Sequence, residues 1–137
     1  MDWVSPSGHS KKDINLAGKI LTNSGCSEEQ QNWASTVLDE WRADHDYPMH
    51  VFQMSLRNYA KSIDPNALVT QRLKREPSIL KKLVRRYHGH SPSMKLHQMQ
   101  DIGGCRAVLS NVNQVRRLVG EKYVHGKTMS DFTRSKK

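Results

Sequence analysis

The sequence predicts an α+β fold in which helices occupy the first part of the chain and two strands flank a helix in the second part. Apolar residues recur at helical spacing, as in Trp33, Val37 and Trp41. In residues 67–74 the side chains alternate between two faces as in a strand, and residues 100–109 are predicted to form a second strand that is rich in small residues. The pattern therefore predicts N-terminal helices followed by a partial sheet.

Three helices are predicted before residue 65. Ser10 is a suitable N-cap for a helix from Lys11, and Ser27, followed by two glutamates, is suitable for the second. Pro48 suits the first turn of the third helix, which Asp64-Pro65-Asn66 should end. The expected apolar faces are Ile14, Ala17 and Leu21; Trp33, Val37, Leu38 and Trp41; and Phe52, Leu56, Tyr59 and Ile63.

The second half is predicted to alternate strands and helices. In the strand over 67–74, Arg72 and Lys74 share one face. A helix should run from Pro77 through about Tyr87, followed by a strand over 100–109 and a last helix capped by Asn111. The residues expected to bury one side of the basic helix are Ile79, Leu80, Leu83, Val84 and Tyr87.

Composition places the chain among globular proteins. Its 137 residues are 36% hydrophobic and 26% charged, which fits one domain with a modest core. No apolar run reaches the roughly 18 residues of a membrane span, and the N-terminus lacks an apolar signal segment. We expect a cytoplasmic protein with Cys26 and Cys105 as buried thiols, a single disulfide being the alternative.

Charge is unevenly distributed along the chain, whose net charge is +9. Residues 72–86 contain seven cationic side chains and one acid, a local charge of +6, whereas residues 27–46 have a local charge of −5. This asymmetry indicates an anionic partner at one place, with a solvated basic face as the alternative.

Four residues at the first strand and the basic helix could hold a polyphosphate: Arg72, Lys74, Ser78 and Lys82. A helix N-terminus already favours phosphate, and cations around it offset charge as a phosphoryl group moves. Asp101 could hold Mg²⁺ through one carboxylate oxygen together with substrate phosphates. His88 and His90 are a less suitable metal pair, since no acid or cysteine stands nearby at ligand spacing, so we expect surface histidines.

Taken together, RLKREPSILKKL and the later MQDIGGCRAV resemble the first half of a RelA/SpoT-type synthetase domain, and FQMSLRNYAKSIDPNALVTQRLKR resembles its small single-domain members. The resemblance implies a nucleotidyltransferase-like mixed sheet, here partial. It also implies that pyrophosphate is transferred from ATP to the 3′-hydroxyl of GDP or GTP with Mg²⁺. By resemblance, Arg72, Lys74, Ser78 and Lys82 contact the ATP phosphates, Asp101 binds the metal, and Arg106 is the arginine of the aspartate motif.

The family pattern continues with a K-D-Y-I…G-Y-x-S-x-H stretch and a later glutamate, and neither is found in these 137 residues. We therefore expect one domain with an N-terminal helical part (1–65) and the first half of a synthetase core (66–137). We also expect activity impaired by C-terminal truncation, no identifiable catalytic base, and an exposed sheet edge that favours homo-oligomers. Arg134 lies near the family's next basic position without matching its register.

Two other functions stay open. Relatives of this family include toxins that modify adenine nucleotides or the 3′ end of tRNA, and the basic segment suits a tRNA acceptor as well as ATP. A non-catalytic module would instead bind RNA through a basic surface, with affinity that falls steeply as salt rises. Its expected contacts are Lys81, Lys82, Arg85 and Arg86.

Overall fold

The computed structural model describes residues 6–123 and confirms the α+β class with N-terminal helices. Two strands, β1 (Leu68–Leu73) and β2 (Gly103–Val108), pair in an antiparallel sheet. A short 3-10 helix (Leu96–Gln98) precedes β2, and a π-helical turn (Val119–Tyr123) follows the last helix. The other elements in chain order are α1 (Lys11–Leu21), α2 (Glu28–Ala43), α3 (Asp46–Ile63), β1 (Leu68–Leu73), α4 (Glu76–Leu83), β2 (Gly103–Val108) and α5 (Val112–Leu118).

The described chain forms two compact units, and each unit is made of two segments that are separate in the sequence. The first contains residues 6–49 and 72–104, and the second contains residues 50–71 and 105–123. Helix α3 and both strands contribute residues to each unit. The division into an N-terminal part (1–65) and a synthetase core (66–137) stays a prediction.

The helix starts follow the predicted capping chemistry. The Ser10 hydroxyl accepts a hydrogen bond from the Asp13 backbone N–H at 3.1 Å. At α2, the Ser27 hydroxyl accepts from the Gln30 N–H at 3.2 Å, and the Gln30 side chain accepts from the Ser27 N–H at 2.9 Å. At α5, Asn111 accepts from the Gln114 N–H. Each side chain satisfies a backbone donor that has no partner inside its helix, which explains these boundaries.

The core of the first unit joins α1, α2 and α4 to the 3-10 helix. Leu38, Ile79 and Leu96 are fully buried there, and Trp41 is buried beside them. Burial of these apolar side chains fixes α4, the helix that carries Ser78 and Lys82, against the N-terminal helices.

Several sequence expectations are wrong in detail. Helix α4 ends at Leu83 rather than near Tyr87, and Val84 and Tyr87 are about half exposed. Leu83 is the last α4 side chain in the core, and Val84 takes the C-cap position directly after it. Trp33 and Phe52, which were expected on buried apolar faces, are 40% and 50% exposed.

The strands are also shorter than predicted. β1 covers Leu68–Leu73 and β2 covers Gly103–Val108. β2 begins later than predicted because the backbone turns at Asp101 and Ile102. Cys26 and Cys105 do not form a disulfide with each other, and both are half-buried rather than buried. Within residues 6–123, no helix is long and apolar enough to cross a membrane. The polar segment after Gly126, including Arg134, lies outside the described residues.

Gly18 is required by close packing between α1 and the 3-10 helix. A Cβ added at Gly18 would lie 2.9 Å from the Leu96 Cβ, an atom held close to the backbone. We expect Gly18→Ala to destabilise the protein by about 1–3 kcal/mol through overpacking, although alanine is intrinsically better in a helix. Urea unfolding measures this, with Gly120→Ala as the control because its added methyl meets no atom within 4 Å. A Gly18→Ala protein as stable as the wild type would contradict the close packing.

The second unit is held by a small apolar cluster and a buried carboxylate. Leu56, Ala60, Ala67 and Leu118 form the cluster. Asp64, 3% exposed, accepts hydrogen bonds from the Ser110 hydroxyl at 2.6 Å and backbone N–H at 2.9 Å, and from the Asn66 N–H at 2.9 Å. These bonds connect the end of α3 to the segment between β2 and α5. The residue that the sequence marked as a helix terminator therefore also holds two distant segments together.

The hydrogen bonds from Ser110 and Asn66 lower the pKa of Asp64 below its usual value. A lowered carboxyl pKa contributes stability above the unfolded-state value of 3.8, and that stability is lost as pH falls through the folded-state pKa. We expect Asp64→Asn to be less stable than the wild type at neutral pH, with a gap that narrows below pH 3.8. Thermal unfolding across that pH range tests this, with Asp39→Asn, an exposed α2 carboxylate, as the control. A gap independent of pH would contradict it.

Candidate functional site

The candidate site lies between the end of β1, the last turn of α4 and the turn that precedes β2. Lys74, directly after β1, donates its backbone N–H to the Ile102 carbonyl at 2.6 Å, so it is held beside the turn that precedes β2. Arg75 then takes the N-cap position of α4 without a side-chain cap, and Pro77 stands in the first turn. This strand-to-helix connection is what brings Lys74 close to the face of α4 that carries Lys82.

Lys74, Lys82 and Asp101 form a three-residue ion-pair cluster, the Lys74–Asp101–Lys82 triad. The Lys74 ammonium donates to Asp101 Oδ2 at 2.9 Å, and the Lys82 ammonium donates to Asp101 Oδ1 at 2.7 Å. The lysine side chains are 16% and 24% exposed, whereas Asp101 is 51% exposed. The structure thus brings together three of the six residues that the sequence singled out, from segments 19 and 27 residues apart.

The triad has an excess of positive charge. Hydrogen bonds from Lys82 and Lys74 lower the pKa of Asp101 from 3.8 to about 2, so the carboxylate is ionised at neutral pH. Two ammonium groups and one carboxylate leave a formal charge of +1 in a partly sheltered position. Such a cluster favours an anion, because the lysine ammoniums can donate charge-assisted hydrogen bonds to phosphate oxygens.

Arg72 and Ser78 flank the triad in the chain without joining it. Arg72 lies in β1, two residues before Lys74, with an exposed side chain. Ser78 stands in the first turn of α4 and is half-buried, and its backbone N–H donates to the Arg75 carbonyl at 3.1 Å. Within the described chain, neither side chain forms a hydrogen bond or an ion pair with Asp101.

Arg106 lies in β2 and belongs to the second unit, where its side chain is exposed. No residue in the range 6–123 forms a hydrogen bond or an ion pair with its guanidinium. Its assignment to the same site as the triad therefore rests on the sequence resemblance alone.

Arg42 is a neighbour of the site that the sequence reasoning missed. Its Nε donates to the Lys74 backbone carbonyl at 3.1 Å, and its Nη1 lies 3.7 Å from Asp39. This half-buried α2 side chain fixes the backbone that positions Lys74. A lone arginine in an acidic helix carries no sequence signal for such a role, because the contact joins residues 32 positions apart.

The donor set at the triad suits Mg²⁺ only in part. Asp101 is its one carboxylate, and no group of three histidine, cysteine, aspartate or glutamate side chains that could hold a metal occurs in residues 6–123. Mg²⁺ is commonly held by one or two carboxylates plus substrate phosphates. Asp101 therefore fits as a single ligand to a metal ion that arrives with a phosphate. His88 and His90 are exposed, as expected for surface histidines.

A groove elsewhere in the first unit includes none of the predicted site residues. It has a volume of about 390 Å³ and lies between α1, the end of α4 and residues 92–96. Gly18, Leu83 and Leu96 are among its lining residues, and Lys19 and Lys95 also border it.

Comparisons with known proteins give this site no family assignment. No protein-family model matches the chain. No curated protein matches it at a significant level. The resemblance to RelA/SpoT-type synthetases therefore rests on the motif residues alone, and the triad contains the three of them that the fold brings together.

Proposed function

We propose that the chain is a RelA/SpoT-like nucleotide pyrophosphokinase domain whose triad region holds the triphosphate of ATP with Mg²⁺. The observation that carries this proposal is the convergence of Lys74 and Lys82 on the two oxygens of Asp101. Two ammoniums beside a carboxylate supply both partners of a metal–triphosphate: cations for phosphate oxygens and an oxygen ligand for the metal.

In the proposed reaction, the 3′-hydroxyl oxygen of GDP or GTP forms a bond to the β-phosphorus of ATP. The bond from that phosphorus to the α–β bridging oxygen breaks, AMP leaves, and the hydroxyl proton passes to a base that we do not assign. Lys74 and Lys82 would offset charge on the transferred phosphates, and Mg²⁺ would neutralise charge shared between them. The proposed residue roles are confined to the donor nucleotide, since the acceptor-side motifs of the family are not in these 137 residues.

We further propose that the protein acts in the cytoplasm, where ATP and guanosine nucleotides are available, and that homo-oligomers form through the sheet edge. If the protein is instead a toxin of the same family, tRNA or an adenine nucleotide is the alternative acceptor. The acceptor assay incubates the 137-residue chain with labelled ATP and Mg²⁺ and each acceptor in turn, and separates the products by thin-layer chromatography. We expect weak turnover or none, because the acceptor-side motifs of the family are not in these 137 residues. Any labelled pyrophosphorylated product identifies the acceptor, and robust turnover would contradict the expected impairment. Lack of saturable, Mg²⁺-dependent ATP binding counts against the enzyme assignment.

Arg72 is expected to contribute to ATP affinity although it stands outside the triad. Its side chain is free to reach a phosphate, and it lies two residues before Lys74 in an extended segment. Loss of one charge-assisted hydrogen bond should weaken ATP binding by about tenfold in Arg72→Ala. Titration of a fluorescent ATP analogue measures this, with Thr70→Ala, an exposed residue of the same strand, as the control. Equal affinities for Arg72→Ala and the wild type would remove Arg72 from the phosphate site.

A second candidate function is a non-catalytic RNA-binding module. It is favoured by the exposed cations Lys81, Arg85 and Arg86, whose side chains form no hydrogen bond or ion pair within residues 6–123. The Lys82 ammonium, by contrast, forms an ion pair with Asp101. Under this alternative, RNA affinity falls steeply with salt and depends on the three exposed cations, whereas saturable, Mg²⁺-dependent ATP binding favours the pyrophosphokinase.

A further inference from the structure

Both oxygens of Asp101 are already engaged in the free protein. Oδ2 accepts from Lys74 at 2.9 Å and Oδ1 accepts from Lys82 at 2.7 Å, so each carboxylate oxygen has an ammonium against it. A metal ion approaching this carboxylate meets two like charges and has no second carboxylate to help hold it, since no larger ligand group exists in the described residues. The triad alone is therefore a poor site for a divalent cation.

We propose that the triad is a conditional metal site: a polyphosphate must engage Lys74 and Lys82 before Asp101 can bind a divalent cation. The inference rests on the proposed function insofar as the ligand is the triphosphate of a nucleotide. In the free protein Asp101 serves as the internal counter-ion of the two lysines. When phosphate oxygens replace it in that role, its oxygens become available to a metal ion that also binds the phosphates.

Because the polyphosphate and the metal ion each displace the ion pairs between Asp101 and the two lysines, the two ligands bind cooperatively. A phosphate that takes over the lysines removes the repulsion a metal would meet, and a metal on Asp101 releases the lysines for phosphate. Because binding free energies are linked, each ligand must raise the affinity for the other by the same factor. Couplings of this kind commonly amount to about 5- to 150-fold.

Whether Mg²⁺ raises or lowers polyphosphate affinity distinguishes the conditional metal site from an ordinary basic patch. At a basic patch Mg²⁺ neutralises the polyphosphate in solution and weakens its attraction to lysines. At the conditional site Mg²⁺ gains a protein ligand, so it strengthens binding. Replacing Asp101 by asparagine should reverse the behaviour: the lysines lose their counter-ion, and the metal loses its ligand.

Inorganic tripolyphosphate and Mg²⁺ are the probes, titrated into the 137-residue chain by calorimetry. We expect no saturable binding of Mg²⁺ alone, and tripolyphosphate affinity at least about fivefold higher with Mg²⁺ than with EDTA. Asp101→Asn should bind tripolyphosphate about fivefold more tightly than the wild type in EDTA, because a nearby negative charge is gone, and should lose the enhancement by Mg²⁺. Glu28→Gln is the matched control: it removes one exposed carboxylate from the same unit, outside the triad.

The wild-type comparison decides the inference even if the Asp101 variant does not fold. Saturable binding of Mg²⁺ without polyphosphate, or weaker tripolyphosphate binding in Mg²⁺ than in EDTA, would overturn it. So would the same response in Glu28→Gln as in Asp101→Asn. Failure of the enzymatic proposal looks different, since it would be coupled binding of tripolyphosphate and Mg²⁺ without saturable, Mg²⁺-dependent binding of ATP.

Discussion

The double variant Lys74→Ala/Lys82→Ala is expected to bind ATP about 10²- to 10⁴-fold more weakly than the wild type. Each lysine should supply a charge-assisted hydrogen bond to a phosphate, worth about 1.5–3 kcal/mol. If the two contributions add, the loss is about 3–6 kcal/mol, and each 1.4 kcal/mol is about tenfold in affinity. Both side chains are largely sheltered, so solvent and salt should screen these interactions less than at an exposed pair.

The fold should survive this double substitution. Asp101 loses both partners but is half exposed, and water can solvate its carboxylate. We therefore expect circular dichroism and thermal unfolding close to those of the wild type. Equilibrium binding of a labelled ATP analogue in Mg²⁺ measures the loss of affinity.

The matched control is Lys81→Ala/Arg85→Ala. It removes two positive charges from the same basic segment at exposed side chains outside the triad. ATP affinity should change by less than about threefold, as expected when surface charges act only at long range. If the control weakens ATP binding as much as the double lysine variant, the segment acts as a general basic surface, which supports the RNA-binding alternative.

Ile79→Ala is expected to destabilise the protein by about 2–5 kcal/mol. Ile79 is fully buried in the core of the first unit and lies in α4 between Ser78 and Lys82. Its truncation removes apolar contacts and leaves a cavity that the surrounding helices can fill only partly. Because a small domain has about 5–15 kcal/mol of total stability, this single change threatens the fold that holds the triad.

Urea unfolding followed by tryptophan fluorescence suits this test, since Trp41 belongs to the same core cluster as Ile79. Val84→Ala is the control: it also truncates an aliphatic side chain, one that is 50% exposed just beyond α4. Surface substitutions of that kind usually change stability by less than about 0.5 kcal/mol. Equal effects of the two substitutions would mean that burial of Ile79 does not anchor α4.

Local chemistry allowed the element types and several boundaries to be predicted. Ser10, Ser27 and Asn111 each satisfy free backbone donors within three residues, so their role is readable from the sequence. The end of α4 was not readable in this way. Val84 and Tyr87 continue the helical spacing of apolar residues, but they lie beyond Leu83, the last helix residue that packs in the core.

The sequence by itself determined the α+β class, the helix N-terminal caps, and the cations and carboxylate available for a phosphate site. Only the tertiary structure decided that Lys74 and Lys82 meet on Asp101, that Arg42 holds the Lys74 backbone, and that Asp64 bonds to Ser110. The physical reason is range. A cap or an amphipathic face depends on residues a few positions apart, whereas these contacts join residues 19 to 46 positions apart and exist only once the apolar cores have formed.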